Sequence, residues 1–354
     1  MNRQLRAAAA YTVMGRKHLA GTWLQSEDNP GDDPSRGVPL RSCSDCPSLP
    51  EHLVRPRLPS LAVAVAFFAA GCPASSGDPV SAEILEYLWR ETPRVSGHGW
   101  GRELGSTAGD LTAALESVGV PCRPPILDRP GSRRVCASCV FDHDQWFIEL
   151  LTEVVAGYYG FLHIRAPSTG WSILSHLHGG SRSRKCPDGT RPLTFLEDRS
   201  LTRADRICLL RFLLHRRGGL FCVEHPAESL MFGSSPFSLL IREIPTWTTV
   251  LDQCAYGLRP TAADGPEHIR KRTRLMGNFQ GLEKIERRCP GVSLAHTHVF
   301  ALRGGRTKKG DASPGASVAI LASQYPTELC AQIAGCVADA CLSRDGRGRQ
   351  QSGN

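Results

Sequence analysis

Apolar residues recur along much of the chain with a spacing that alternates between helix-like and strand-like segments. After a glycine-bearing turn, apolar side chains return at intervals of three and four residues, at Leu111, Ala114, Leu115 and Val118. The stretch HDQWFIELLTEVVAG is also helix-like, and YGFLHIRA and GGLFCVEHP are typical of strands that end in turns. This alternation predicts an α/β domain over residues 100–340, with a mainly parallel sheet and helices on both faces.

Other segments divide the rest of the chain. The apolar run LAVAVAFFAAG at 61–71 is too short to cross a bilayer and too far from the start for a signal peptide, so we expect a buried strand or helix. Further helices are predicted at 81–91, 202–217 and 325–342, and polar loops at 173–200 and 304–317. From composition we expect a disordered region at 1–60, a poorly defined segment at 61–99 and a flexible tail at 341–354.

Composition narrows the class of protein only slightly. The 35 glycines and 25 prolines imply many loops, and the net charge of +8 permits a nucleic-acid partner without requiring one. The 14 cysteines have irregular spacings and no secretory signal peptide accompanies them. We therefore expect mainly reduced thiols in an intracellular protein without a membrane partner.

Five short motifs follow one another in a recognisable order: ELGSTAGDLTAAL, APSTGWS, VEHP, LDQCAYG and YPTELC. In that order they resemble the Rossmann-type, S-adenosylmethionine-dependent DNA methyltransferases that act on C5 of cytosine. The resemblance is greatest to a divergent set of methyltransferase-like domains in dinoflagellate and other algal proteins, often beside retroelement sequences. It covers roughly residues 100–335, and its specificity lies in the order of the motifs because each motif is short.

The resemblance implies a Rossmann-like fold with a site for S-adenosylmethionine. Glu103 would meet the methionine amine of the cofactor, and Gly105 and Gly109 would let the backbone approach the cofactor closely. Asp128 would bind the ribose hydroxyls, and Asp142 would face the adenine amino group. A second glycine-bearing turn, FFAAGCPASSG, is a weaker candidate because the helix after it lacks the family pattern.

The resemblance also assigns two catalytic positions. In the family a cysteine thiolate adds to C6 of a flipped cytosine, and a glutamate binds the base edge near N3. The corresponding residues here are Ser168 and Glu224, and His225 stands where asparagine is usual. A serine hydroxyl ionises far less readily than a thiol, whose free pKa is about 8.5. We therefore expect a methyltransferase-like protein whose activity is weak or lost.

Two basic stretches, SRSRKCPDGTRP and HIRKRTRLMGN, could contact nucleic-acid phosphates, although the second could equally be a solvated loop. The resemblance implies DNA, RNA remains an alternative, and a DNA partner would place the protein in the nucleus. The sequence does not indicate an oligomeric state. The candidate nucleic-acid-binding residues are Arg182, Arg184, Lys185, Arg270, Lys271, Arg272 and Arg274.

Metal binding is the less favoured interpretation of the cysteines. Two Cys-x-x-Cys pairs lie too far apart in the sequence for a zinc ribbon, at Cys43/Cys46 and Cys136/Cys139. Another conceivable cluster consists of Cys289, His296 and His298. The family resemblance at RCPGVSLAHTH suggests that this cluster is structural, so we predict no metal site.

Two alternatives to a cofactor-binding domain remain open. One is a catalytically inactive, nucleic-acid-binding remnant of a retroelement polyprotein, which would bind through its basic segments. The other is a chain without a function, whose first hundred residues do not fold. Cofactor binding distinguishes the first interpretation from both alternatives, and salt-sensitive DNA binding without cofactor binding favours the remnant.

Overall fold

A computed structural model of the chain describes residues 58–70, 85–86, 88–90, 99–106, 108–127, 137–168, 170–173, 179–260, 265–299 and 324–351. Several predictions fall outside these residues and are not tested by the structure. They are the disorder at 1–57, the loop at 304–317 and the ribose-binding role of Asp128, and the less favoured alternative of a zinc site on the two Cys-x-x-Cys pairs also lies outside them.

The described residues form eight strands and seven α-helices. The strands are β1 Trp100–Ser106, β2 Ile126–Leu127, β3 Tyr159–Arg165, β4 Leu220–Pro226, β5 Trp247–Asp252, β6 Glu267–Ile269, β7 Arg272–Gly277 and β8 Thr297–Val299. The helices are α1 Leu61–Ala70, α2 Asp110–Ser117, α3 Ala137–Asp142, α4 Asp144–Val155, α5 Phe195–Arg216, α6 Ser235–Glu243 and α7 Thr327–Gln351.

Six strands form one sheet in the order β2-β1-β3-β4-β7-β5. Strands β2, β1, β3 and β4 run parallel to one another, and β7 is antiparallel to its neighbours β4 and β5. The chain moves to one side of β1 to form β2 and then to the other side to form β3. The predicted α/β fold with a mainly parallel sheet is therefore confirmed, and the strand order changes direction between β1 and β3.

Each face of the sheet is covered by its own apolar cluster, because side chains along a strand point alternately to opposite faces. Leu162 and Ile164 of β3 pack with apolar residues of α1, α3, α4, α5 and α6. Phe161 of the same strand packs on the other face, with α2 and α7. The predicted placement of helices on both faces is confirmed, and the run at 61–71 is helical over Leu61–Ala70.

Three sequence predictions need correction. Helix α5 begins at Phe195, inside the predicted loop 173–200, because Thr194 and Glu197 cap each other: Thr194 Oγ1 accepts from the Glu197 N–H, and Glu197 Oε2 accepts from the Thr194 N–H. Helix α7 continues to Gln351, through most of the predicted tail. The basic stretch HIRKRTRLMGN is not a solvated loop, because most of it forms β7 inside the sheet.

A second, two-stranded sheet lies outside the main one. Strands β6 and β8 pair in parallel, with His268 opposite His298. Among the described residues 286–299, which precede and include β8, none belongs to either apolar cluster. No helix in the described part of the chain is long and apolar enough to cross a membrane.

Candidate functional site

The strand register brings several of the predicted site residues to one face of the sheet. Glu103 of β1 lies opposite His163 of β3, and Arg165 of β3 lies opposite Glu224 of β4. Residues that are two apart on a strand, or directly opposite on neighbouring strands, share a face. The side chains of Glu103 and Glu224 therefore lie on the same face of the sheet. The carboxyl ends of the parallel strands form the edge of the sheet at which open α/β folds bind ligands.

Glu103 is fully buried against the first turn of α2. Its Oε2 accepts hydrogen bonds from the backbone N–H of Thr112 at 3.2 Å and from the Thr112 hydroxyl at 3.1 Å. Its Oε1 is buried and has no hydrogen-bond partner of normal geometry among the described residues. Burial raises the pKa of Glu103, although hydrogen bonding opposes the rise. Oε1 therefore lacks a hydrogen-bond donor among the described residues, and because Glu103 is fully buried, a ligand would reach this oxygen only if the packing around it opened.

The two glycines of the predicted cofactor turn are needed by the protein itself. Gly105 has φ +90°, and a Cβ there would lie 2.5 Å from the backbone oxygen of Arg165. Gly109 has φ +82°, and a Cβ there would meet Pro125 at 3.0 Å. Ser106 closes the turn, since its hydroxyl accepts from the Gly109 N–H at 2.7 Å. Close packing of β1 on the end of β3 thus accounts for Gly105 without a cofactor.

Glu224 is held between two cations. Arg165 Nε donates to Glu224 Oε2 at 2.9 Å, and Lys271 Nζ lies 3.2 Å from Oε1. Burial opposes ionisation of Glu224, but Lys271 and Arg165 outweigh it and hold the pKa of this carboxyl well below its usual value. We call Arg165, Glu224 and Lys271 the charged triad. It keeps Glu224 ionised and occupies both of its oxygens.

Tyr325, which lies two residues before α7, covers the charged triad. Arg165 lies over the Tyr325 ring at 4.9 Å and Lys271 at 5.7 Å, both distances measured to the ring centroid. The Tyr325 hydroxyl is 2.8 Å from His163 Nε2. Burial lowers the pKa of His163 to about 3, so this histidine is neutral at physiological pH. Burial and the charge of Glu224 raise the pKa of Tyr325 well above its usual value.

Ser168 lies in the turn that follows β3, next to the end of β4. Its side chain is exposed, and its backbone carbonyl accepts from the Trp171 N–H at 3.1 Å. The neighbouring Pro167 carbonyl is 3.4 Å from His225 Nε2, so the Ala-Pro-Ser and Glu-His-Pro turns are adjacent. Burial lowers the pKa of His225 to about 4. Within the described part of the chain, the Ser168 hydroxyl makes no hydrogen bond to a group that could remove its proton.

Asp142, expected to face adenine, is engaged elsewhere. Both of its oxygens contact Arg203 of α5 at 2.5 Å, and Arg199 adds a contact to Oδ2. Burial works against ionisation of Asp142, but these two arginines lower its pKa overall. Asp142 therefore anchors α3 to α5, and an adenine-binding role would have to compete with two arginines.

The seven basic candidates occupy very different environments. Arg182 is buried, stacks 3.7 Å from the Trp171 ring centroid and donates to Gly170, Glu197 and Ser200, so it is a structural residue and cannot reach a phosphate. Lys271 belongs to the charged triad. Arg274 lies over Phe232 at 5.0 Å. Four candidates are exposed: Arg184, Lys185, Arg270 and Arg272. Arg184 pairs with Glu228, and Arg272 lies 3.5 Å from Asp252.

The structure also assembles a cluster that the sequence analysis recognised only in part. Cys254 joins Cys289, His296 and His298, and one donor atom from each residue lies within 4.8 Å of the others. Cys254 follows β5 on a different element, so its approach depends on the tertiary fold. The sequence also gave no indication that Arg165 pairs with Glu224, since the two residues meet only through the β3–β4 register.

Comparison with known proteins does not assign the chain to a group. No protein-family model matches it, and no curated protein matches it either.

Proposed function

We propose that this chain is a divergent Rossmann-type domain that binds S-adenosylmethionine, related to the C5-cytosine DNA methyltransferases and with little or no methyl-transfer activity. One observation carries the proposal: the buried carboxylate of Glu103 has an oxygen without a hydrogen-bond donor among the described residues, and it adjoins the point where the strand order changes direction, between β1 and β3.

The residues at this position suit an amine-bearing ligand. Glu103 Oε1 needs a donor, and the methionine ammonium of the cofactor could provide one at the first turn of α2. The two glycines do not carry the argument, because contacts within the protein explain them. Glu103 is therefore the residue on which cofactor binding depends most directly.

The catalytic positions support the expectation of low activity. When bound, S-adenosylmethionine supplies an electrophilic methyl group on its sulfonium. Ser168 would have to act as the nucleophile, but the structure gives its hydroxyl no base among the described residues. Glu224 is ionised and already paired on both oxygens, so a cytosine edge would have to displace Arg165 or Lys271. The nearby Cys186 is not a ready substitute, because its thiol donates to the Gly189 carbonyl at 3.2 Å within a turn.

Equilibrium dialysis with labelled S-adenosylmethionine tests the role of Glu103. We expect Glu103→Gln to weaken binding at least tenfold, because it removes the charge that would pair with the ammonium group. Glu116→Gln is the matched control: Glu116 is an exposed carboxylate on α2, the helix against which Glu103 packs, and its loss should leave binding unchanged. Equal affinities for the wild type and both variants would remove Glu103 from the site and with it the main support for the proposal.

Nucleic-acid binding is a second candidate function, favoured by a basic cavity near β7. The cavity has a volume of about 450 Å³, and its lining includes Arg270, Arg272 and Arg288. Guanidinium groups that line a concave surface suit phosphate groups, although Arg272 and Arg288 already pair with Asp252 and Glu286. We expect Arg270→Gln to reduce DNA binding and the steepness of its salt dependence, whereas Arg242→Gln, which changes an exposed arginine of α6, should not. Identical salt profiles for the two variants would argue against this surface.

A further inference from the structure

We propose that Cys254, Cys289, His296 and His298 bind one zinc ion that holds the small β6–β8 sheet to the end of β5. Three separate elements contribute the ligands. Cys254 lies in the 3₁₀ helix Gln253–Tyr256 after β5, Cys289 lies in the loop after the 3₁₀ helix Leu282–Ile285, and the histidines come from β8 and the residue before it. The sequence analysis grouped Cys289, His296 and His298 without Cys254 and predicted no metal, so this proposal departs from it.

The distances among three of the four donor atoms are close to those in a tetrahedral zinc site. Cys289 Sγ lies 3.5 Å from His296 Nε2 and 3.3 Å from His298 Nε2, and the two Nε2 atoms are 3.0 Å apart. Zinc bonds of about 2.3 Å to sulfur and about 2.0–2.1 Å to nitrogen, at tetrahedral angles, require about 3.6 Å and about 3.3 Å for these separations. These three ligands can therefore hold an ion with movements of a few tenths of an ångström, and Cys254 Sγ, which lies within 4.8 Å of the other three donor atoms, completes the set by moving towards them.

The surroundings of the four residues suit zinc as well. The Gly291 N–H donates to Cys289 Sγ at 3.4 Å, which favours a thiolate. His268 stacks on His296 with ring centroids 4.1 Å apart and so fixes the orientation of the imidazole. His296 and His298 are two residues apart and point to the same side of the chain. Binding releases one proton from each thiol to solvent, so two thiolates balance the charge of Zn²⁺.

The same region has polar contacts to the rest of the protein, such as the Cys289 N–H to Asp252 Oδ2 at 3.0 Å, but few apolar ones. None of the described residues 286–299 joins either apolar cluster, and Val292 and Leu294 are among the most exposed apolar side chains of the described chain. Small units with too few apolar contacts are commonly stabilised by structural zinc. A closed set of two cysteines and two histidines leaves no open coordination position, so the ion has a structural role and does not activate a substrate.

Metal analysis of the full-length chain, purified without chelators, tests the proposal. We expect about one zinc per chain in the wild type, and a loss of most of it in Cys289→Ser and in His298→Asn. Cys186→Ser is the matched control, because Cys186 is also half-buried but lies outside the cluster. The double variant Cys43→Ser, Cys46→Ser should also keep its zinc, which separates this site from the N-terminal Cys-x-x-Cys pair.

A measurement on the wild type keeps the proposal testable if the variants do not fold. Cys289 is half-buried, so bound zinc should protect its thiol from alkylation, and a chelator should remove that protection, as mass spectrometry of labelled peptides would show. Labelling of Cys186 should be the same with and without chelator. The proposal is overturned if the purified chain contains no zinc, if Cys289 is alkylated equally fast in both conditions, or if Cys254 and Cys289 form a disulfide.

Discussion

The carboxyl edge of the large sheet and the small β6–β8 sheet both bring polar side chains together, but they satisfy those side chains in different ways. In the charged triad, a carboxylate meets two cations, and an apolar cluster covers each face of the surrounding sheet. In the Cys/His cluster, four donor atoms that suit a metal lie close together, and none of the four residues belongs to either apolar cluster. The first arrangement is complete without a ligand, whereas the second is completed by an ion.

The largest effect is expected from breaking the charged triad. Glu224→Gln would leave Arg165 and Lys271 buried without a counter-charge, and removing one partner of a buried ion pair costs about 3–5 kcal/mol. Glu228→Gln breaks an exposed pair with Arg184 and should cost less than about 1 kcal/mol. Urea unfolding of both variants measures the difference. Similar midpoints would mean that the triad does not stabilise the edge of the sheet.

The close packing at the end of β1 can be tested with a glycine pair. Gly105→Ala should cost about 2–3 kcal/mol, because it combines a strained backbone with a clash against the Arg165 carbonyl. Gly218 has nearly the same backbone conformation, φ +81°, but a Cβ there meets nothing within 4 Å. Gly218→Ala should therefore cost only about 1 kcal/mol. Thermal unfolding that ranked the two variants equally would contradict the contact with Arg165.

Buried neutral histidines predict a smaller, pH-dependent effect. The folded-state pKa values of His163 and His225 are about 3 and about 4, below the ordinary value of about 6.5, so acid favours the unfolded chain. Stability should fall as the pH drops below about 6.5, by about 1.4 kcal/mol per histidine for each pH unit. Glu224, whose pKa is depressed, should add a further loss below about pH 4.3.

A variant pair isolates the histidine contribution. His163→Gln should flatten the decline in stability between pH 6.5 and 5. His143→Gln, which changes an exposed histidine, should leave the slope as it is in the wild type. The assignment fails if the wild type and His163→Gln lose stability in parallel over this range.

The smallest structural effect is expected at the turn after β3. Ser168→Cys changes an exposed side chain and should alter stability by no more than about 0.5 kcal/mol. We expect the wild type to transfer no labelled methyl groups to DNA, and Ser168→Cys to form a covalent adduct with a mechanism-based cytosine analogue. Robust transfer by the wild type would show that Ser168 does not occupy the nucleophile position or that a cysteine elsewhere in the chain is the nucleophile.

The sequence predicted the parts of the fold that depend on local periodicity. Helix α4 lies close to where the pattern put it because its buried face repeats at the helical period. Strands β3 and β4 were found as short apolar runs that end in turns, and both are buried on both faces. The start of α5 was missed because its first turn, which includes the exposed Phe195 and Leu196, has no apolar stripe and is fixed by a capping box.

The site was predicted less well, because its contacts depend on the tertiary structure. The pairing of Glu224 with Arg165 and Lys271 requires the β3–β4 register and the insertion of β7 beside β4. Basic composition could not distinguish the buried Arg182 from the exposed Lys185, which lies three residues later. Cys254 could not be grouped with the histidines, because only the folded chain brings β5 to β8.

Calorimetric titration of the full-length, zinc-loaded chain with S-adenosylmethionine and S-adenosylhomocysteine tests the proposed function most directly. We expect both compounds to show saturable binding at one site per chain. We also expect weaker binding of an analogue that lacks the amino group, since Glu103 Oε1 would then have no donor. If circular dichroism shows that the chain is folded and neither compound gives a heat of binding, the proposed function is wrong. That result would favour the nucleic-acid-binding remnant.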